Sequence, residues 1–263
     1  MCDFLEIRGK KIHYKVEGSG EIVLLLHGYL ESMEIFDDFA SDLAKHLSVL
    51  MIDIPGHGKS ECIGTIHSMN LMADIIKEAL EQLNIDQCSI IGHSMGGYIA
   101  LSFLDKYPEK VNKLCLLHST PFADDDEKKQ NRNREIGLIR QEKKELIYNI
   151  NIPKAYANSN LDKFESNIKL GKKIAKNTSN QGIIALLEGM KMRRDYTNLL
   201  QGNASKSMLI LGKKDNYIPF DLAFERLGTM DNLHILELNE SGHMGFLEEK
   251  TETLLGIINF FKQ

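Results

Sequence analysis

Ser94 stands in Gly92-His93-Ser94-Met95-Gly96-Gly97, with glycine two residues before it and two after. A serine hydroxyl is a weak nucleophile until a neighbouring base takes its proton. The spacing suits a sharp strand-to-helix turn, where small flanking residues avoid clashes and the helix N-terminus favours developing negative charge. Ser89 to Gly92 reads as a short buried strand and 95–106 as a helix closed by Tyr107-Pro108, which supplies that context. The chemistry expected of such a serine is nucleophilic catalysis.

Nine histidines compete for the role of base. His243 lies in Glu240-Ser241-Gly242-His243-Met244-Gly245-Phe246, between the last expected strand and the terminal helix. That is the sheet edge at which sites of open α/β folds assemble. His93 adjoins the serine, but its side chain points elsewhere on the turn and is assigned a structural role. His13, His46 and His234 fall within or beside regular elements, and His57 and His67 lie in or near loops. His118 ends a strand and is expected to line the pocket without being the base. An acid must hold the tautomer of the base and stabilise its cation. Asp215, in Gly212-Lys213-Lys214-Asp215-Asn216, follows the strand Met208 to Leu211 and leaves the same sheet edge. Asp53, assigned to loop structure, and Asp124 to Asp126 are its competitors. The expected oxyanion donors are the backbone N–H groups of Met95 and of Tyr29, in Leu26-His27-Gly28-Tyr29, where Gly28 lets the chain turn sharply.

These residues need a scaffold, and the hydrophobic pattern describes one. Phe4 to Arg8 and Lys11 to Glu17 flank Gly9 as a hairpin, and Ile22 to Leu26 is an apolar run of the kind buried on both faces of a parallel sheet. Helical and strand patterns then alternate: 36–46 helix, Val49 to Ile54 strand, 68–83 amphipathic helix, the elbow, and Val111 to Leu117 strand. The alternation stops at Pro121 and resumes at Met208, followed by helix 219–228, strand 233–238 and helix 248–262. The expected organisation is a core of 1–120 and 201–263 with a helical cap at 121–200. Tyr156 and Met190 are candidate pocket residues in the cap, although apolar helical residues are core more often than pocket wall.

The 263 residues are 43% hydrophobic and 26% charged, which suits a soluble α/β globule. The net charge of −5 leaves no basic footprint for nucleic acid. No run approaches the roughly 20 apolar residues a membrane span needs, and no basic-then-apolar leader precedes Ile22. The cysteines Cys2, Cys62, Cys88 and Cys115 have no metal-ligand spacing and read as reduced thiols of a cytoplasmic protein. Residues 121–200 hold 16 Lys and Arg against 11 Asp and Glu, a charge of +5, and the remainder holds 16 against 26, a charge of −10. A solvated helical surface explains this contrast. A lid attracting anionic acyl groups, a coenzyme A thioester or an acyl-carrier protein is the sharper expectation.

On Leu26 to Tyr29, Asp53 to Ser60, Gly92 to Gly97, Gly212 to Asp215 and Ser241 to His243, the chain resembles the α/β-hydrolase superfamily over nearly its whole length. Glu188 to Asp195 resembles the last cap helix of its small capped members, the carboxylesterases, enol-lactonases and carbon–carbon bond hydrolases. The resemblance implies an eight-stranded, mostly parallel sheet with a helical cap after strand 6. It also implies a Ser94, His243, Asp215 triad working through an acyl-enzyme on a small-molecule acyl substrate, with no metal and no organic cofactor. Dehalogenases and epoxide hydrolases of the fold carry aspartate where this chain has Ser94, and perhydrolases favour a proline that Tyr29-Leu30 does not supply. The menaquinone-pathway synthase has an arginine where this chain has Tyr98. Ester or thioester hydrolysis is the leading expectation. The alternatives are carbon–carbon hydrolysis or elimination by the same triad, and a non-catalytic receptor of the same fold.

Overall fold

The computed structural model describes residues 2–262; Met1, Gln263 and the side chain of Cys2 lie outside the described residues. The chain opens with β1 (Cys2–Ile7) and β2 (Lys10–Gly18), joined by Arg8 and Gly9, both at positive φ (53° and 71°), the two-residue turn that suits strand twist. β3 (Ile22–Leu26), α1 (Asp37–Leu43), β4 (Ser48–Ile52), α2 (Met69–Gln82), β5 (Cys88–His93), α3 (Met95–Lys106) and β6 (Val111–Leu117) follow. Between β6 and the next strand run α4 (Asp126–Arg140), α5 (Lys144–Lys154), α6 (Glu165–Asn177), α7 (Asn180–Lys191) and α8 (Thr197–Gly202). The chain closes with β7 (Ser207–Gly212), α9 (Phe220–Leu227), β8 (His234–Leu238), α10 (Gly245–Glu248) and α11 (Lys250–Lys262).

The described strands form one eight-stranded sheet in the order β1-β2-β4-β3-β5-β6-β7-β8, antiparallel only where β2 meets β1 and β4. Parallel pairing aligns Leu26 with Gly92 and Gly92 with Leu116, so the site-bearing segments leave the sheet at one edge. Alternate strand residues feed two cores. Leu24, Leu26, Ile90 and Leu116 pack with α2 and α3, while Val23, Leu25, Ile91 and Leu117 pack with α1 and α11. Burial on both faces is why these strands read as unbroken apolar runs.

The helical insertion sits on the core through glycine. A Cβ at Gly182 of α7 would lie 2.2 Å from the Gly56 carbonyl, and one at Gly189 would lie 1.8 Å from that of His67. His67 N–H donates to the Ala185 carbonyl at 2.8 Å, which ties the loop after β4 directly to α7. The terminal helix expected at 248–262 is α11, and the short α10 precedes it; Glu248 and Glu249 at their junction accept hydrogen bonds from Gly242 and Glu240 N–H. No helix among the described residues is long and apolar enough to cross a membrane. Cys62, Cys88 and Cys115 carry free thiols, and burial pushes that of Cys88 up to about 12.

Candidate active site

Ser94 occupies the single residue between β5 and α3, at φ 50° and ψ −115°. Such backbone costs about 1–3 kcal/mol in a residue other than glycine and persists only when its surroundings enforce it. Ser94 N–H donates to the Leu117 carbonyl at 3.0 Å, and the Ser94 carbonyl accepts from Gly97 N–H (3.0 Å) and the Ser119 hydroxyl (2.7 Å). The flanking glycines have steric reasons: a Cβ on Gly92 would sit 2.5 Å from Gly97 Cα, and one on Gly96 would sit 2.3 Å from the Leu26 carbonyl. The side chain of Ser94 is held at the sheet edge, half-buried.

Three of the expected residues meet there. His243 Nε2 lies 2.8 Å from Ser94 Oγ, and His243 Nδ1 lies 2.7 Å from Asp215 Oδ2. Asp215 Oδ1 accepts from Tyr217 N–H (2.7 Å) and Ile218 N–H (3.0 Å). Burial works to raise the Asp215 carboxyl, but the His243 and His118 rings outweigh it and hold it far below the usual carboxylate range. An ionised Asp215 requires the proton on His243 Nδ1, which leaves Nε2 free to accept from the serine. The base loop is suspended from its surroundings: His243 N–H donates to the Ala155 carbonyl (2.6 Å) and Gly242 N–H to Glu248 Oε1 (2.9 Å). Glu248 Oε2 takes Ala157 N–H at 2.9 Å and the Asn160 amide at 2.8 Å.

The remaining candidates are distributed around this chain. Among the described residues, the N–H groups of Tyr29 and Met95 have no hydrogen-bond acceptor, as donors reserved for a ligand would. His118 is fully buried behind the acid, with Gly245 N–H donating to its Nε2 at 3.0 Å and its Nδ1 3.5 Å from Asp215 Oδ2. Tyr156 is 1% exposed and stacks on Phe164, and Met190 is 1% exposed in the core beneath α7, so both pack as interior residues. His93 donates to the His243 carbonyl and contacts Glu31, and Asp53 organises its own loop through His13, Met33 and Lys59. His118, Asp215 and His243 bring ligand-type atoms within 4.8 Å of one another. His243 bridges Ser94 and Asp215, and His118 Nε2 accepts from Gly245 N–H, while His118 Nδ1 faces the acid without a hydrogen-bond partner.

Residues without a local signature complete the site. Tyr29 OH donates to Glu135 Oε2 of α4 at 2.8 Å, and Asn151 of α5 donates to Glu135 Oε1 at 2.7 Å. Tyr217, whose ring lies 5.2 Å from that of His243, donates its OH to the Asn151 carbonyl at 2.9 Å. Two of the five arginines of the insertion are less available than the charge count suggests. Arg132 and Arg193 both pair with buried Asp124, and Arg193 also stacks on Tyr98 at 3.8 Å. Most of its lysines point outward, at exposed positions such as Lys143, Lys163, Lys169 and Lys173.

Residues 21–134, from the turn before β3 into α4, match a family model described as the alpha/beta hydrolase fold. A 2-hydroxy-6-oxononadienedioate/2-hydroxy-6-oxononatrienedioate hydrolase of Pseudomonas putida is 26% identical over 247 residues, 88% of this chain and 85% of that protein. The like-named hydrolase of Escherichia coli is 25% identical over 95% of this chain and 90% of its own. Among solved structures, a thermophilic esterase from Thermogutta terrifontis superposes with a TM-score of 0.93 at 23% identity, covering 100% of this chain and 98% of that one. An enol-lactonase from Burkholderia xenovorans gives 0.87 at 16% identity, covering 99% of this chain and 100% of that one. The sequence match through the elbow and the likeness over the whole length show that this chain has the α/β-hydrolase fold.

Proposed function

We propose that the protein is a serine hydrolase that cleaves a carboxylic ester or thioester of a small to medium acyl group. The observation that carries this reading is the 2.8 Å contact between His243 Nε2 and Ser94 Oγ, backed by the 2.7 Å contact to Asp215. In the proposed reaction Ser94 Oγ attacks the acyl carbonyl while its proton passes to His243 Nε2. The oxyanion is met by the N–H groups of Met95 and Tyr29, each such donor being worth on the order of 3 kcal/mol in the transition state. His243 returns the proton to the departing alkoxide or thiolate, then deprotonates the water that hydrolyses the acyl-enzyme. Every proton and charge in this sequence is handled by side chains and backbone groups of the chain. We read the domain division as a core of 1–120 and 201–263 under a cap of 121–200, with the cap as the lid over the acyl group.

A fluorophosphonate probe and a series of p-nitrophenyl esters test the proposal. Wild type should label at one serine, Ser94→Ala should not label, and Ser94→Ala or His243→Ala should each lower kcat by about 10⁴-fold or more. Persistent turnover in Ser94→Ala would remove the assigned nucleophile.

Carbon–carbon bond hydrolysis is the second reading, favoured by the names of the relatives from P. putida and E. coli. It uses the same serine and base but requires protonation of a carbon leaving group. Turnover of a 2-hydroxy-6-oxo-dienoic acid with kcat/KM above that of every ester tested would favour it over ester hydrolysis.

A further inference from the structure

Glu31 and His93 meet in the interior, 7% and 0% exposed, and neither takes part in the proton transfers proposed above. Each neighbours a functional segment: Gly28 precedes the oxyanion residue Tyr29, and His93 precedes the nucleophile. Gly28 N–H donates to Glu31 Oε2 at 2.6 Å, and His93 Nδ1 lies 2.9 Å from the same oxygen. On the far side of the ring, His93 Nε2–H donates to the backbone carbonyl of His243 at 2.9 Å.

The hydrogen bonds and the charge of Glu31 together set the protonation state of the ring. A carbonyl oxygen only accepts, so Nε2 carries a proton. Glu31, held below its ordinary value, is a carboxylate whose oxygens only accept, so Nδ1 carries one too, and the ring is an imidazolium paired with an anion. Burial opposes charge on both groups, but each partner's charge outweighs it, raising His93 above its ordinary value and holding Glu31 below its own. The other titratable groups near the pair are His27 beside Glu31, Asp215, His118 and His243 around His93, and Tyr156 facing Glu31. Phe36 and Phe246 pack against the His93 ring, 6.2 and 5.0 Å away between centroids, and leave it little freedom to rotate.

We propose that Glu31 and His93 are positioning residues, a buried ion pair whose hydrogen bonds set the oxyanion segment at Gly28, the elbow at Ser94 and the base loop at His243 in one rigid register. The inference rests on the roles proposed for Ser94, His243 and Tyr29. Its distinguishing property is that the two residues work as a unit, because the pair spans from Gly28 N–H to the His243 carbonyl and the connection is lost when either end is cut.

A double-mutant cycle of Glu31→Gln and His93→Gln, with kcat expressed per fluorophosphonate-titrated site, tests the pair. Normalising to titrated sites separates a misplaced site from a smaller folded fraction. Each single variant should lose about 10- to 100-fold in kcat at little change in KM, and the double variant should lose no more than the worse single one. Multiplicative losses, or a Glu31→Gln variant at wild-type kcat, would overturn the proposal. If the variants do not fold, nitrogen chemical shifts of the wild-type His93 ring near neutral pH decide: two protonated nitrogens are expected, and one unprotonated nitrogen would refute the ion pair. Failure of the underlying reading has a separate signature, since Ser94→Ala would then retain activity whatever the cycle shows.

Discussion

The ring of His118 turns its Nδ1 toward the Asp215 carboxylate because its Nε2 is committed as the acceptor for Gly245 N–H, at 3.0 Å. One nitrogen of a neutral imidazole accepts, so the other carries the proton, 3.5 Å from Asp215 Oδ2. That distance is long for a hydrogen bond, and the contact acts as an oriented dipole behind the acid. Burial lowers the His118 ring to about 4, which keeps it neutral and its tautomer fixed near neutral pH.

His118→Ala should therefore cost about 2–4 kcal/mol of stability, since it opens a cavity and strands a buried N–H. It should also lower kcat by about 10-fold through a looser Asp215. Because residue 118 sits at φ 46°, a conformation asparagine tolerates, His118→Asn should recover part of the stability. Unfolding midpoints and kcat on a p-nitrophenyl ester measure both, and an unchanged kcat in a folded His118→Ala variant would rule out the bracing role.

The glycines of the helical insertion make opposite predictions at different sites. Gly182→Ala and Gly189→Ala each drive a methyl group into a backbone carbonyl, at 2.2 and 1.8 Å, so α7 must lift from the loop after β4. Loosened docking should raise KM and speed proteolysis within 121–200. Gly137, inside α4, has nothing within 4 Å of the point where an added methyl group would stand, and Gly137→Ala should stabilise by about 0.5–1 kcal/mol through helix propensity alone. Equal effects at positions 137 and 189 would contradict this seating of the insertion.

What was legible in the sequence is what local sterics dictate. Gly92 and Gly96 announce the elbow because a methyl group at either would strike backbone only a few residues away or on the neighbouring strand. Ile22 to Leu26 announces a central strand because both its faces are buried. Glu31, Glu135 and Glu248 were not legible. Their partners His93, Tyr29 and Ala157 lie 62, 106 and 91 residues away, and nothing nearby separates them from solvated carboxylates. The charge count of the insertion overstates Arg193 for the same reason, since Asp124, 69 residues away, holds it.

Tyr29 joins two layers, its backbone at the proposed oxyanion site and its hydroxyl on Glu135 of α4. Burial foremost, then the Glu135 carboxylate, raises its phenol well above the ordinary value, so it stays a donor throughout the working range. Tyr29→Phe leaves the backbone N–H in place and should keep kcat on a short ester within about threefold. Glu135→Ala removes the acceptor for both Tyr29 and Asn151, unlatching α4 and α5, and should raise KM more for bulky esters than for acetate. A large kcat loss in Tyr29→Phe would mean that the hydroxyl itself acts in the reaction.

Acid stability should be governed by histidine before carboxylate. Burial lowers His27, His57, His67 and His118 below the ordinary 6.5, with His67 and His118 at about 4. The unfolded chain binds these protons as pH falls through 6.5, while the folded chain takes them up only at lower pH, at about 4 for His67 and His118. Stability therefore declines across that interval, by up to about 1.4 kcal/mol per pH unit for each such histidine. His93 has the opposite sign: its raised value contributes stability in full below the unfolded value, and that contribution fades as pH rises through the folded one. With four histidines against one, the unfolding temperature should fall steadily from pH 6.5 toward 4. His57 is the cleanest test, because its ring nitrogens make no well-formed hydrogen bond. His57→Phe fills a similar volume and should flatten the decline by one proton's share with little loss near neutral pH. A wild-type unfolding temperature that stays flat down to pH 4, or a His57→Phe curve parallel to wild type, would show that these rings are not the source of acid sensitivity.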